Sequence, residues 1–163
     1  MSQGKVIKVG MADLSIAKEP DILTTLGLGS CVGIALYDPS TKVGGLAHIM
    51  LPDSKQIKNN ENKAKFADTA IEVLVQAMIK EGARKNRIVA KIAGGAHMFE
   101  FKNMDDMMRI GTRNINAVVQ ILNEIHIPII AQDVGENYGR TVELHTLTGV
   151  FRVKTIGHGI REI

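Results

Sequence analysis

One cysteine, Cys31, and five histidines are the residues of this 163-residue chain best suited to covalent chemistry. A thiolate attacks carbonyl carbon, and an imidazole within reach can take the thiol proton and return it to a leaving group. Of the five histidines, His48 has the spacing to meet Cys31. Asp38-Pro39-Ser40-Thr41 carries the residue preferences of a type I turn. Pairing Asp38 with Thr41, or Tyr37 with Lys42 around a four-residue loop, sets Cys31 directly opposite His48 on neighbouring strands. Opposed residues share a face, with Cβ atoms about 4.5–5.5 Å apart. A one-residue slip would send His48 to the other face, so the pairing hangs on the length of the loop. The competing reading is plain: a lone strand cysteine serves well as a small buried hydrophobe.

The two faces of this hairpin differ in kind. Val32, Ile34 and Leu36 share one with Val43, Ala47 and Ile49, an apolar set expected to enter the core. The other holds Cys31, Gly33 and Ala35 against His48, Leu46 and Gly44, mostly small residues expected to leave room above the pair for a side chain or substrate. Amide hydrolysis also needs donors for an oxyanion. Gly27-Leu28-Gly29-Ser30, just before the cysteine, can present backbone N–H groups, which makes Gly29 and Ser30 the candidate supports. Thr25 and Ser30 are the local hydroxyls able to orient the histidine, although Asp or Asn is the commoner choice.

Other residues invite weaker readings. His97 and Met98 follow a Gly-Gly pair and could edge a substrate or partner loop, or merely follow a turn that needs glycine. No Lys-Ser/Thr completes a phosphate loop there. Asp133 to Arg140 could frame a groove in which Arg140 meets a carboxylate, or form a solvated loop. Met98, Met104, Met107 and Met108 could make an adaptable partner surface or fill core gaps. His126, His145 and His158 lack metal-ligand spacing, so no metal or cofactor is expected. Lys80, Arg84, Lys85 and Arg87 form the densest basic cluster; at a net charge of +3 it suits a solvated helix end, and no nucleic-acid motif accompanies it.

These residues must be held by strands more than helices. Short strands are expected at 6–10 and 12–16, a turn-rich stretch at 21–30, and strands at 31–37, 43–50, 87–92 and 129–134. A closing hairpin or meander over 140–146 and 149–156 completes the set. Helices are expected over 60–82, where Ala64, Ala67, Ile71, Leu74, Val75, Met78 and Ile79 recur at helical spacing, and within 112–124. The fold class is therefore α/β in the α+β sense: mixed or antiparallel sheets packed as a sandwich, with two main helices outside. Without linker or repeat, residues 1–163 read as one domain. A hydrophobic fraction of 45% with 23% charged residues is that of a soluble globular chain, and only 4% aromatic content leaves the core to aliphatic side chains. A single cysteine, no signal-like N-terminus and no membrane-length apolar run point to a cytoplasmic protein.

Thr25-Leu-Gly-Leu-Gly-Ser-Cys31, with Gly45-Leu-Ala-His48-Ile-Met-Leu-Pro52, closely resembles the chemoreceptor glutamine deamidase family, CheD. The resemblance continues through Gly94-Gly95-Ala-His-Met98, Ile110-Gly-Thr-Arg-Asn114 and Asp133 to Arg140. It implies hydrolysis of selected glutamine side chains on methyl-accepting chemotaxis receptors to glutamate and ammonia. Cys31 would be nucleophile, His48 acid/base, and Thr25 the residue orienting His48. It also implies a CheC-type phosphatase as partner and a sandwich related to thiol deamidase toxins. Two alternatives stand beside it: a thiol amidohydrolase of other specificity, and a chemotaxis adaptor that mainly binds the phosphatase.

Overall fold

The computed structural model of the protein describes residues 4–98 and 109–163. Its elements run β1 (Val6–Lys8), β2 (Asp13–Lys18), β3 (Ile22–Leu28), β4 (Val32–Asp38), β5 (Val43–Ile49), α1 (Ala67–Lys80), β6 (Val89–Gly94), α2 (Ile110–Glu124), β7 (Ile129–Val134), β8 (Arg140–His145), β9 (Phe151–Thr155) and β10 (Gly159–Glu162). Strands β4 and β5 are buried along their whole length, which requires cover on both faces. One cover is helical. Val32, Ile34, Leu36, Val43, Ala47 and Ile49 pack with Ile71, Leu74 and Met78 of α1 and with Val118 and Leu122 of α2. The other cover is a second sheet, which brings Leu23, Leu28, Val142, Leu144 and Phe151 against Ala35, Leu46 and Ala93.

The two sheets each have five strands, ordered β1-β3-β8-β9-β10 and β2-β5-β4-β6-β7. Each is mixed, because β1 runs parallel to β3 and β6 parallel to β7 while the other pairs are antiparallel. The expected mixed sandwich with two main helices outside is thus the architecture found, both helices lying on the outer face of the β2-β5-β4-β6-β7 sheet.

Three expectations change. The stretch at 21–30 is largely strand, not turn: β3 occupies most of it, bulged between Thr25 and Leu28 where Gly27 takes φ +70°. Its glycines disguise the strand, because a bulge uses the left-handed backbone that glycine allows. Helix α1 begins at Ala67, later than expected. Asn62 accepts the Ala64 N–H in a short 3-10 turn, and Phe66, fully buried, stays extended to bridge Leu51. Finally, the sequence pattern misses β10, whose four residues are all exposed and carry no apolar alternation.

The central hairpin keeps its face assignment but not its register. Asp38 pairs with Val43 around a Pro39–Lys42 loop, and Gly33, not Cys31, stands opposite His48. Lys42 closes the loop with φ +57° and donates its N–H to the Asp38 carbonyl (2.8 Å). The slip is two residues, so Cys31 and His48 still share a face, now as diagonal rather than direct neighbours. The buried Asp38 carboxylate anchors the turn by accepting from Ser40 N, Arg84 N and the Arg87 guanidinium.

Candidate active site

Cys31 follows the short crossover Gly29-Ser30 that carries the chain from β3 in one sheet to β4 in the other. His48 lies near the end of β5, paired on its two sides with Asp13 and Gly33. Both residues face the layer between the sheets, where Cys31 is 7% exposed and His48 wholly buried. The facing sheet supplies Thr25 from β3. Its Oγ1 lies 2.7 Å from His48 Nδ1 and 2.7 Å from the Val9 carbonyl. A carbonyl can only accept, so the single hydroxyl proton of Thr25 goes to Val9 and Oγ1 accepts from Nδ1–H. That chain fixes the tautomer, with the proton on Nδ1 and the lone pair on Nε2. Nε2 is buried and has no hydrogen-bond partner among the described residues. A bare, desolvated imidazole nitrogen on the face that also carries a thiol is what a general base requires.

Burial sets the charge state of both groups. It pushes the Cys31 thiol above its ordinary value, opposed by the residue's own backbone N–H. It holds His48 below the ordinary imidazole value. Desolvation disfavours thiolate and imidazolium alike. The resting pair is therefore a neutral thiol and a neutral imidazole rather than a preformed ion pair.

The turn before Cys31 is held from one side by three donors. Ala96 N–H donates to the Gly29 carbonyl and Gly95 N–H to the Cys31 carbonyl, each at 2.8 Å, and Asn114 Nδ2 donates to the Ser30 carbonyl at 3.0 Å. The N–H groups of Gly29, Ser30 and Cys31 meet no backbone or side-chain oxygen acceptor among the described residues. This approach explains the Gly-Gly pair. Gly94 has φ +108°, and a Cβ there would lie 2.3 Å from the Cys31 carbonyl oxygen.

The remaining expected residues are placed as follows. Met98 is 45% exposed and lies over Gly29, its Cγ 3.2 Å from where a Cβ of that glycine would stand. His97 turns away to Thr112, Nε2 to Oγ1 2.8 Å, and its N–H donates to the Glu136 carbonyl. Arg140 is not displayed in a groove or a solvated loop. It is 1% exposed, and the carboxylate it meets is Asp133, Nε to Oδ1 2.8 Å, with Arg161 on the other oxygen. A buried guanidinium needs such a partner. Met104, Met107 and Met108 lie outside the described residues. Over its two glycines the small-residue face is filled by protein: a Cβ at Gly33 would stand 3.0 Å from Leu28 Cδ1, and one at Gly44 2.9 Å from Thr146. Those glycines admit the second sheet.

Asn114, which closes the Ile110-Gly-Thr-Arg-Asn114 stretch but carries no role expected from the sequence, also reaches this region. Fully buried, it spans two carbonyls, Ser30 before the cysteine and Met50 after the histidine strand, both at 3.0 Å. Its signal is a polar residue in the buried helix stripe Gly111, Asn114, Val118 and Leu122. Among the described residues no helix is long and apolar enough to cross a membrane, and no cluster of three metal-binding side chains occurs.

Residues 50–155 match a protein family described as CheD chemotactic sensory transduction. Similar chains over nearly the full length include three named "Probable chemoreceptor glutamine deamidase CheD". The protein of Caldanaerobacter subterraneus subsp. tengcongensis is 55% identical, over 99% of both chains. That of Lachnoclostridium phytofermentans is 55% identical, over 98% of this chain and 99% of its own. That of Clostridium botulinum strain Hall is 54% identical, over 98% of each.

Proposed function

The chain belongs to the CheD family, and from that premise we propose that it is a chemoreceptor glutamine deamidase working through Cys31, His48 and Thr25. The observation that carries the reading is the Val9–Thr25–His48 chain, which leaves a buried Nε2 lone pair on the face shared with Cys31. As a glutamine side chain enters, Nε2 takes the thiol proton while Sγ attacks the amide carbon. The carbonyl π electrons move to oxygen, and backbone N–H groups of the Gly29-Ser30-Cys31 turn donate to the developing oxyanion. Collapse breaks the C–N bond, and the imidazolium gives its proton to the departing ammonia. Water, deprotonated by Nε2, then attacks the thioester. Its collapse releases glutamate and returns the thiol. Throughout, Thr25 Oγ1 holds Nδ1–H and steadies the imidazolium.

This division suits a resting neutral pair, because charge appears only when substrate excludes water and supplies the acyl centre. Family membership supports extending the reading to a cytoplasmic setting, where the receptor's signalling domain is reached, and to a CheC-type phosphatase as protein partner. The test is mass spectrometry of a receptor cytoplasmic domain after incubation with the chain. We expect glutamine-to-glutamate conversion at a few defined positions, and none with Cys31→Ala. Intact glutamines, or equal conversion by the Ala variant, would refute the assignment.

A further inference from the structure

We propose that Asn114 is a positioning residue that aims the Cys31 N–H at the reacting oxygen; the inference rests on the deamidase reading above. The Asn114 amide donates both of its hydrogens, one to the Ser30 carbonyl and one to the Met50 carbonyl, each at 3.0 Å. Two carbonyl partners settle which end of the side chain is NH2. Its Oδ1 is buried with no partner among the described residues, so donation is the whole of its polar role here.

The Ser30 carbonyl and the Cys31 N–H belong to one trans peptide and point in opposite directions. Holding the first therefore directs the second. Cys31 N–H is also the donor that lies nearest the nucleophile in sequence and meets no oxygen acceptor among the described residues. A hydrogen bond to the carbonyl further polarises that peptide and strengthens its N–H as a donor. The second hydrogen bond ties the same amide to Met50, two residues beyond His48, so one side chain registers the nucleophile's peptide against the strand carrying the base. The neighbouring carbonyls of Gly29 and Cys31 are held by backbone N–H groups; of the three donors on this turn only Asn114 can be changed by mutation. Its helix is seated tightly, since a Cβ at Gly111 would lie 2.6 Å from the Gly95 and Ala96 carbonyl oxygens.

A purely structural amide would satisfy the same two carbonyls. The two roles separate because alkylation of the thiol by iodoacetamide forms no oxyanion, whereas deamidation does. For Asn114→Leu, close in shape but without a donor, and Asn114→Ala, kcat on a receptor fragment should fall about 10²-fold with KM nearly unchanged. Cys31 alkylation should stay within about threefold of wild type, with the same pH midpoint. Parallel loss of both activities, or an unchanged kcat, would overturn the proposal. In the unmutated chain, a glutamic-semialdehyde peptide that adds to Cys31 should move the Cys31 amide proton downfield, and an unmoved amide would overturn it even if neither variant folded. A wild-type chain that alkylates normally yet leaves receptor glutamines intact removes the deamidase reading and this inference with it. A wild type that deamidates, matched by Asn114→Leu, removes this inference alone.

Discussion

Replacing Thr25 by valine tests the hydrogen-bond chain with almost no change in shape. Thr25 is 1% exposed and its hydroxyl serves two buried groups, the Val9 carbonyl and His48 Nδ1–H. Each group left without a partner costs about 1–3 kcal/mol. The methyl that replaces the hydroxyl recovers roughly 1 kcal/mol of burial, so the net loss should be about 1–5 kcal/mol. A domain with about 5–15 kcal/mol to spare still folds after such a loss. The rate should suffer more than the stability. With no acceptor at Nδ1 the proton can move to Nε2, and an Nε2–H tautomer cannot take the thiol proton. A wrong tautomer costs about 10⁴-fold in the serine triad, where the orienting group is charged. For a neutral hydroxyl we expect a kcat loss of about 10²-fold. Thr25→Ser keeps both hydrogen bonds and loses one methyl, so it should cost about 1 kcal/mol and retain activity within a few-fold. Urea unfolding midpoints and receptor deamidation, measured on all three chains well below the midpoint, provide the comparison. A valine variant as fast as wild type, or a serine variant as slow as the valine one, would refute the reasoning.

Two further outcomes follow from the framework around the site. Burial pushes the Asp38 carboxyl up, but hydrogen bonds from the Arg87 side chain and from the Arg84 and Ser40 N–H groups outweigh it and hold it at about 2. Because the folded value lies below the unfolded one, the carboxylate should add about 2 kcal/mol above pH 4, lost as the pH falls from about 4 towards 2; Asp38→Asn should be less stable at neutral pH and lack that acid-side decline in urea titrations. Gly94→Ala sets a methyl 2.3 Å from the Cys31 carbonyl oxygen at φ +108°. It should cost at least about 4 kcal/mol or prevent folding, and an unchanged unfolding midpoint would show that the backbone approach beneath Cys31 is not needed.

Much of this arrangement is written locally. The Val/Ile/Leu alternation of 32–36 and the turn residues Asp38 and Pro39 are enough by themselves to mark a hairpin. The even loop length is enough to keep Cys31 and His48 on one face, because side-chain direction depends only on the parity of the register. The register itself is not legible in the sequence. It depends on Lys42 adopting φ +57° and on the Asp38 carboxylate binding Arg84 and Arg87, partners more than forty residues away. The start of α1 is hidden for a similar reason. Periodicity extends it back to 60, but the Leu51 bridge holds Phe66 extended.

The environment of the pair is wholly tertiary. Residue types in the Gly33, Ala35 and Gly44 row say only that something must come close. Whether that is substrate or protein is decided by the second sheet, which fills the space with Leu28, Leu144 and Thr146. Thr25 and Ser30 are both local in sequence as partners for the histidine. Only β3, crossing in the opposite sheet, brings Thr25 Oγ1 to 2.7 Å from Nδ1. Arg140 reads equally as a ligand for an outside carboxylate or as part of a solvated loop until the fold supplies Asp133. Residue chemistry and periodicity thus set which side chains can react and which face they share. Tautomer and charge state come from what the other sheet and α2 bring to that face, because desolvation and hydrogen-bond direction depend on neighbours distant in the chain.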